Sequence, residues 1–185
     1  LTARDNHRRT LYGKIDRADV EDMLRLPDFP DPSTHSPDRE PTTTALQQLA
    51  CSWTQRHPGG WVGSVAPRRS TLHAGRRYMH LGDALDDLPA HGRALVVVDD
   101  CELVDDRNGE FAALLASRRP GVLVLAAGRP DALRQSYGHW STVLRRSRLG
   151  LVAAAAGDVD GDLLGVVLPR RLPVPARPGL MWAVD

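Results

Sequence analysis

The chain has 185 residues, of which 42% are hydrophobic and 25% are charged, as is typical of one soluble globular domain. Its formal net charge of +1 gives no electrostatic reason to expect a nucleic-acid or membrane partner. The two cysteines are far apart, lack metal-ligand spacing and indicate a reducing, cytoplasmic compartment. No apolar run approaches the roughly 20 residues that span a bilayer. A chain that begins with Leu1 is compatible with a piece of a longer protein, and other parts of that protein could tether it to the inner face of the membrane.

The first 43 residues are predicted to be a polar, proline-rich segment or linker. One short amphipathic helix is predicted around Asp16 to Leu26, and the stretch PDFPDPSTHSPDREP that follows has neither helical nor strand periodicity. A domain is predicted over residues 44–185. It opens with a helix over Ala45 to Arg56, whose apolar residues recur at helical spacing: Leu46, Leu49, Ala50 and Trp53.

The predicted strands are short apolar runs, namely Trp61 to Pro67, Ala94 to Val98, Gly121 to Gly128, GLVAAAAG and GLMWAVD. The helices predicted between them cover Leu81 to Leu88, Glu110 to Ser117, Pro130 to Tyr137 and part of Ser141 to Arg148. Continuous apolar strands that alternate with helices predict an α/β fold, with a doubly wound, mostly parallel sheet and helices on both faces. We expect Val96–Val98 and Val122–Leu125 in adjacent central strands, covered by the 45–56 and 110–117 helices.

Two aspartates, Asp99 and Asp100, directly follow the second predicted strand in the stretch ALVVVDDCELVDD. In open parallel sheets, ligands bind beyond the carboxyl ends of the strands. Four apolar residues followed by Asp-Asp form the pattern of a Walker B element, in which one carboxylate helps to hold Mg²⁺ and the next acidic residue orients or deprotonates the attacking water. The pattern is loose, and two solvent-exposed aspartates or a helix cap would produce the same letters.

A Walker B element requires an upstream phosphate-binding loop with the sequence GxxxxGK[ST]. When that motif is set against the residues from Ser36, Pro41 falls at the second glycine, Thr42 at the lysine and Thr43 at the hydroxyl position. Thr43 alone fits, because proline has no N–H group and threonine carries no cation. The sequence therefore predicts a degenerate or missing phosphate-binding loop, with weak or no binding of Mg-ATP.

Six stretches occur in a characteristic order and spacing: VAPRRSTL, ALVVVDDCELVDD, VLVLAAGRPDALRQSYGHW, RRSRLGLV, DGDLLGVVLPRR and PARPGLMWAV. With them the chain, from about Thr44 to its C-terminus, resembles the FtsK/SpoIIIE family of ring-forming motor ATPases. It is most similar to the actinobacterial branch that includes the ATPase modules of type VII secretion systems. The resemblance implies a P-loop, RecA-like fold, ATP and Mg²⁺ as cofactors, and a homo-oligomeric, hexameric ring or tandem ATPase modules. The implied translocated substrate is DNA or a secreted polypeptide.

The resemblance also implies roles for single residues. Asp99 would be the magnesium-associated carboxylate and Asp100 the catalytic acid, while Thr42 and Thr43 would stand at the nucleotide. Arg129, at the end of the next strand, would sense the γ-phosphate. Because two adjacent carboxylates repel each other, we expect Arg129 to contact one of them, or else one aspartate to turn outward and cap the loop that follows.

Three arginines lie at the end of the predicted Ser141 to Arg148 stretch: Arg145, Arg146 and Arg148. In the rings of this family the corresponding segment borders the adjacent subunit, so the resemblance implies an arginine-finger role for them. The alternative is that they form a solvated basic surface.

Two classes of function stay open. One is an ATP-driven motor, and the other is a non-catalytic module that binds a partner or substrate through the same fold. The paired aspartates favour the motor, and the missing lysine favours the non-catalytic module. An unrelated nucleic-acid binder is disfavoured, because the arginine pairs do not interleave with aromatic residues.

Overall fold

The computed structural model describes residues 10–14, 41–153, 158–169 and 181–184. Within these residues the strands are β1 (Thr10–Lys14), β2 (Trp61–Val65), β3 (Arg76–Tyr78), β4 (Ala94–Val98), β5 (Val122–Gly128), β6 (Gly150–Ala153) and β7 (Met181–Val184). The α-helices are α1 (Pro41–Arg56), α2 (Leu81–Asp86), α3 (Glu110–Ser117), α4 (Pro130–Gln135) and α5 (Ser141–Arg145). Two 3₁₀ helices cover Cys101–Leu103 and Asp158–Leu164. The helix predicted around Asp16 to Leu26 lies outside the described residues.

The seven strands form one sheet in the order β3-β2-β4-β5-β1-β6-β7. The first four are parallel to one another, and Val96 of β4 pairs with Val124 of β5. The prediction of two adjacent, parallel central strands is therefore confirmed. Numbered in chain order among themselves, these four strands have the order 2-1-3-4, with the chain moving first to one side of β2 and then to the other.

The other three strands pair antiparallel. β1 lies between β5 and β6 and runs opposite to both, and β7 runs opposite to β6. The first four residues of the GLVAAAAG stretch form a strand, β6, and the others lie outside the described residues. This strand pairs with β1 and β7 and does not extend the parallel block. The prediction of a parallel sheet is thus confirmed for four strands only, because apolar residues indicate burial of a strand and carry no information on its direction.

Helices cover both faces of the sheet. Because side chains alternate along a strand, neighbouring residues of β4 point to opposite faces. Val96 packs in a buried cluster with Phe111 of α3, whereas Val97 packs in a second cluster with Leu46 of α1. All five residues of β4 are buried, as expected for a strand covered on both sides. The two helices predicted as covers therefore lie on opposite faces. No helix in the described ranges is long and apolar enough to cross a membrane.

The short strand β3 was not expected from the sequence. Two of its three residues, Arg76 and Arg77, are exposed, and only Tyr78 is buried, so no apolar run marks it. Gly75 precedes it with a φ of +59°, and a Cβ at this position would overlap the carbonyl oxygen of Val62 in β2. This close approach sets β3 beside β2 and makes β2 an inner strand of the sheet.

Candidate functional site

The site lies where the strand order of the four parallel strands reverses. From β2 the chain moves to one side to form β3 and then crosses to the other side to form β4. Such a switch point leaves a crevice at the carboxyl ends of the two strands, and ligands of open α/β sheets bind there. Val65 at the end of β2 pairs with Val98 at the end of β4. The residues that follow these two strands therefore line the crevice.

Asp99 is the first of them and is only 1% exposed. Its Oδ2 atom accepts a hydrogen bond from the hydroxyl of Thr43 at 3.1 Å and another from the hydroxyl of Ser70 at 2.6 Å. Thr43 lies in the first turn of α1, and Ser70 lies in the loop after β2. The backbone N–H of Asp99 donates to the carbonyl of Val65 at 3.0 Å. A strand end, a helix start and a loop thus converge on one carboxylate.

Asp100 is also buried, at 2% exposure, and its Oδ2 atom lies 3.3 Å from Nε of Arg69. Its backbone adopts the left-handed conformation, with a φ of 49°, which few residues other than glycine tolerate. This conformation turns the chain out of β4 into the 3₁₀ helix, where the N–H of Leu103 donates to the carbonyl of Asp100. Neither aspartate turns outward, so the expectation of an exposed, capping aspartate is wrong, and so is the alternative of two solvent-exposed carboxylates.

Arg129 directly follows β5, and its guanidinium pairs with Glu102. Nε of Arg129 lies 2.8 Å from Oε1 of Glu102, and its backbone N–H donates to Oε2 at 3.3 Å. The side chain of Glu102 is only 1% exposed. The Arg129 guanidinium thus pairs with Glu102, and that of Arg69 pairs with Asp100. A contact of Arg129 with Asp99 or Asp100 stays a prediction.

Gly128 makes room for this ion pair. A Cβ at Gly128 would lie 2.6 Å from the sulfur of Cys101 and 2.7 Å from Oε2 of Glu102, both too close for real contacts. Burial raises the pKa of the Cys101 thiol well above its ordinary value, and the charges of the nearby carboxylates, Glu102 first, raise it further. Cys101 is therefore a neutral packing residue beneath the site.

The three arginines implied as fingers differ in exposure. Arg145 at the end of α5 is half-buried and close enough to Cys101 for its charge to lower the pKa of that thiol, against the larger effects that raise it. Arg146 and Arg148 are exposed. A finger acts on the neighbouring subunit, so this role stays a prediction for all three.

The two threonines implied at the nucleotide open α1, which begins at Pro41. Both Thr42 and Thr43 are buried. Thr43 reaches Asp99, whereas Thr42 brings no positive charge to the place where the motif requires a lysine. Pro41 and Thr42, at which the sequence departs from the phosphate-binding motif, thus lie at the start of a helix. In P-loop proteins the end of that motif also lies at the start of a helix.

Sequence reasoning missed three side chains of the site: Arg69, Ser70 and Glu102. Arg69 and Ser70 follow a strand that pairs directly with β4, and the carboxyl ends of neighbouring parallel strands meet at one edge. Polar residues just after β2 would therefore have been candidates had β2 been placed next to β4. Glu102 carries no such signal, because its burial depends on the missing side chain of Gly128.

The residues fit the ion of a magnesium–nucleotide site better than they fit its phosphates. Mg²⁺ prefers oxygen ligands and takes only one or two from the protein when a phosphate supplies others. Thr43 and Asp99 present a hydroxyl and a carboxylate of the kinds that P-loop proteins use for this ion. Proline and threonine in place of glycine and lysine do not fit a triphosphate. Within the described part of the chain, no three His, Cys, Asp or Glu side chains group as ligands of a metal ion.

Comparisons of the chain with protein-family models, with curated proteins and with solved structures find no match. The structure establishes an α/β fold with four parallel strands and helices packed against them. A family and a function for this chain are therefore matters of proposal.

Proposed function

We propose that the chain is an FtsK/SpoIIIE-like ATPase module of a ring-forming translocase that has lost catalysis. It retains the Walker B end of the site and lacks a working phosphate-binding loop. The observation that carries the proposal is the hydrogen bond of 3.1 Å from the hydroxyl of Thr43 to the carboxylate of Asp99. This bond joins the two protein ligands that hold Mg²⁺ in P-loop ATPases.

The position of each partner supports the proposal. Thr43 lies in the first turn of a helix, and Asp99 comes directly after a central parallel strand. Fifty-six positions separate them in the chain. Burying a carboxylate costs free energy that hydrogen bonds and a cation must offset. Two aspartates that were only polar surface residues at a strand end would therefore stay in contact with water. Buried, paired carboxylates at a switch point are typical of a binding site or of one that has degenerated.

The loss of catalysis follows from what stands beside Thr43. A triphosphate carries several negative charges, and Thr42 supplies neither the charge nor the donor that a lysine would. In the family, bound Mg-ATP supplies the energy for translocation when it is hydrolysed. The contribution of this module to a homo-oligomeric ring or to a tandem array of ATPase modules is then to bind a partner or the translocated substrate, without binding or hydrolysing ATP. The assembly would act in the cytoplasm on DNA or on a secreted polypeptide.

Introducing the second glycine and the lysine of the motif tests the proposal. Mg-ATP is titrated calorimetrically into the wild-type chain and into the Pro41→Gly/Thr42→Lys double variant. We expect no measurable binding by the wild type and measurable binding by the double variant. Pro41→Gly/Thr44→Lys is the matched control, because it carries the same glycine and a lysine two positions beyond the motif position.

Two results would contradict the proposal. Tight Mg-ATP binding by the wild type would show that an intact phosphate site exists. A folded double variant that gains no affinity beyond that of the control would show that Thr42 does not occupy a phosphate-site position.

A further inference from the structure

We propose that the loop after β2, residues 67–74, occupies the magnesium position, and that Arg69 is a built-in substitute for the charge of the ion. In this arrangement a divalent cation and the loop compete for the same carboxylate oxygens. The inference rests on the proposed function, because it takes Asp99 and Asp100 as the acidic residues of a Walker B element.

Two consecutive residues of this loop contact the two consecutive aspartates. Ser70 donates its hydroxyl hydrogen to Oδ2 of Asp99 at 2.6 Å, and Oδ2 is also the atom that accepts the hydrogen bond from Thr43. Nε of Arg69 lies 3.3 Å from Oδ2 of Asp100. Because the Thr43 hydroxyl lies 3.1 Å from Oδ2, an ion bound by that hydroxyl and by Asp99 would lie beside the oxygen that Ser70 also contacts. Ser70 would therefore have to release it.

The loop is anchored independently of Arg69. The guanidinium of Arg77 donates to the carbonyl of Pro67 at 2.6 Å and to that of Ser70 at 3.1 Å. On its other side, the side-chain amide of Gln47 in α1 donates to the carbonyl of His73 at 2.5 Å and accepts from its N–H at 2.8 Å. Removing the Arg69 side chain should therefore remove a charge from the site while leaving the loop in place.

The exposure of the two partners makes exchange with an ion feasible. The side chain of Arg69 is 64% exposed, whereas that of Asp100 is 3% exposed, so the arginine reaches the buried carboxylate from solvent. The exposed guanidinium stays hydrated, so solvent screens part of its attraction to the carboxylate. A small divalent cation brings twice the charge of Arg69 to the same pair of carboxylates.

The experiment measures divalent-cation binding with MnCl₂ alone, by isothermal titration calorimetry, on the wild-type chain and on Arg69→Ala. We expect Arg69→Ala to bind Mn²⁺ about tenfold more tightly, the change that corresponds to one charge-assisted hydrogen bond. Arg68→Ala is the matched control, since it removes the neighbouring arginine, and it should bind like the wild type. Arg69→Ala/Asp99→Asn should lose the gain. Circular dichroism checks the fold, and Arg69→Gln replaces Arg69→Ala if the alanine variant is unfolded.

The outcomes separate the inference from the proposed function. If Arg69→Ala binds Mn²⁺ no more tightly than the wild type, while Thr43→Val weakens the binding by the wild type, the loop does not compete and the Walker B assignment stands. An equal gain in Arg68→Ala, or a gain that survives Asp99→Asn, also contradicts the inference. If neither the wild type nor Arg69→Ala binds Mn²⁺, the inference is wrong, whereas the proposed function is contradicted only by the results named for the Mg-ATP titration.

Discussion

Ser70 and Asp99 form a hydrogen bond of 2.6 Å between the loop after β2 and the end of β4. The two residues are 29 positions apart, and parallel pairing of their strands brings them together. The Ser70 hydroxyl also accepts a hydrogen bond from the backbone N–H of Leu72 at 3.1 Å. One side chain therefore links the candidate site to the backbone of its own loop, so that the loop and the carboxylate hold each other in place.

Thr43→Val should destabilise the fold by about 1.5–3 kcal/mol, because it removes a donor to a buried carboxylate and leaves the shape of the side chain nearly unchanged. Urea denaturation measures the free energy of unfolding. Thr44→Val is the control one position along α1, where the threonine is half-buried, and it should change stability by less than about 0.5 kcal/mol. Equal effects of the two substitutions would show that the Thr43–Asp99 bond contributes nothing specific.

Asp99→Asn should leave stability within about 1 kcal/mol of the wild type. The amide oxygen can still accept from Thr43 and Ser70, and loss of the charge removes its repulsion with Asp100. Chemical denaturation measures stability, and an ATPase assay run on the same two samples should show no hydrolysis above background in either. An activity that is present in the wild type and abolished in Asp99→Asn would show a working motor and contradict the degenerate assignment.

Gly128→Ala should cost about 1–3 kcal/mol, as overpacking of a filled site does. The new Cβ would lie 2.6 Å from the buried sulfur of Cys101 and 2.7 Å from the carboxylate of Glu102, which Arg129 holds in place. Thermal and urea denaturation measure the cost. In Gly82→Ala, a Cβ would meet nothing within 4 Å, so this helix substitution should be neutral or slightly stabilising. A neutral Gly128→Ala would show that the Glu102–Arg129 pair can move aside.

Protonation of His139 should destabilise the fold. The backbone N–H of Ser141 donates to Nδ1 of His139, so Nε2 carries the proton and donates to the carbonyl of Val104 at 3.1 Å. Burial lowers the pKa of His139 below its ordinary value of 6.5, with the charge of Arg145 acting in the same direction against the hydrogen bond to Val104 and the charges of Asp105 and Glu102.

The unfolded chain therefore takes up this proton more readily than the folded chain does. The free energy of unfolding should fall as the pH drops below about 6.5, and it should continue to fall until the pH is below the lowered pKa of His139. Urea denaturation at a series of pH values measures this loss, and His139→Gln should remove part of it. His91→Gln, which alters an exposed histidine, should retain the full dependence. A pH profile of His139→Gln that matches the wild type would contradict this prediction.

Sequence patterns were sufficient for the elements whose burial is written in consecutive residues. Uninterrupted apolar residues marked β4 and β5 as central strands, and helical spacing marked α1 and α3 as their covers, because a strand covered on both faces leaves no position for a polar side chain. The position of Asp99 and Asp100 at the end of β4 followed directly from that strand. The position of Thr43 in the motif is enough to single out its hydroxyl.

Only the tertiary structure decided which groups meet these aspartates. Arg69 and Ser70 reach them because β2 pairs with β4, and strand pairing depends on contacts between distant segments. The ion pair of Arg129 with Glu102 depends on the space left by Gly128, which no single position reveals. The antiparallel pairing of β6 and β7 also came from the structure, since an apolar strand can bury its side chains equally well in either direction. The sequence by itself therefore determined the central strands and the carboxylates at their end, and tertiary packing decided the partners of those carboxylates.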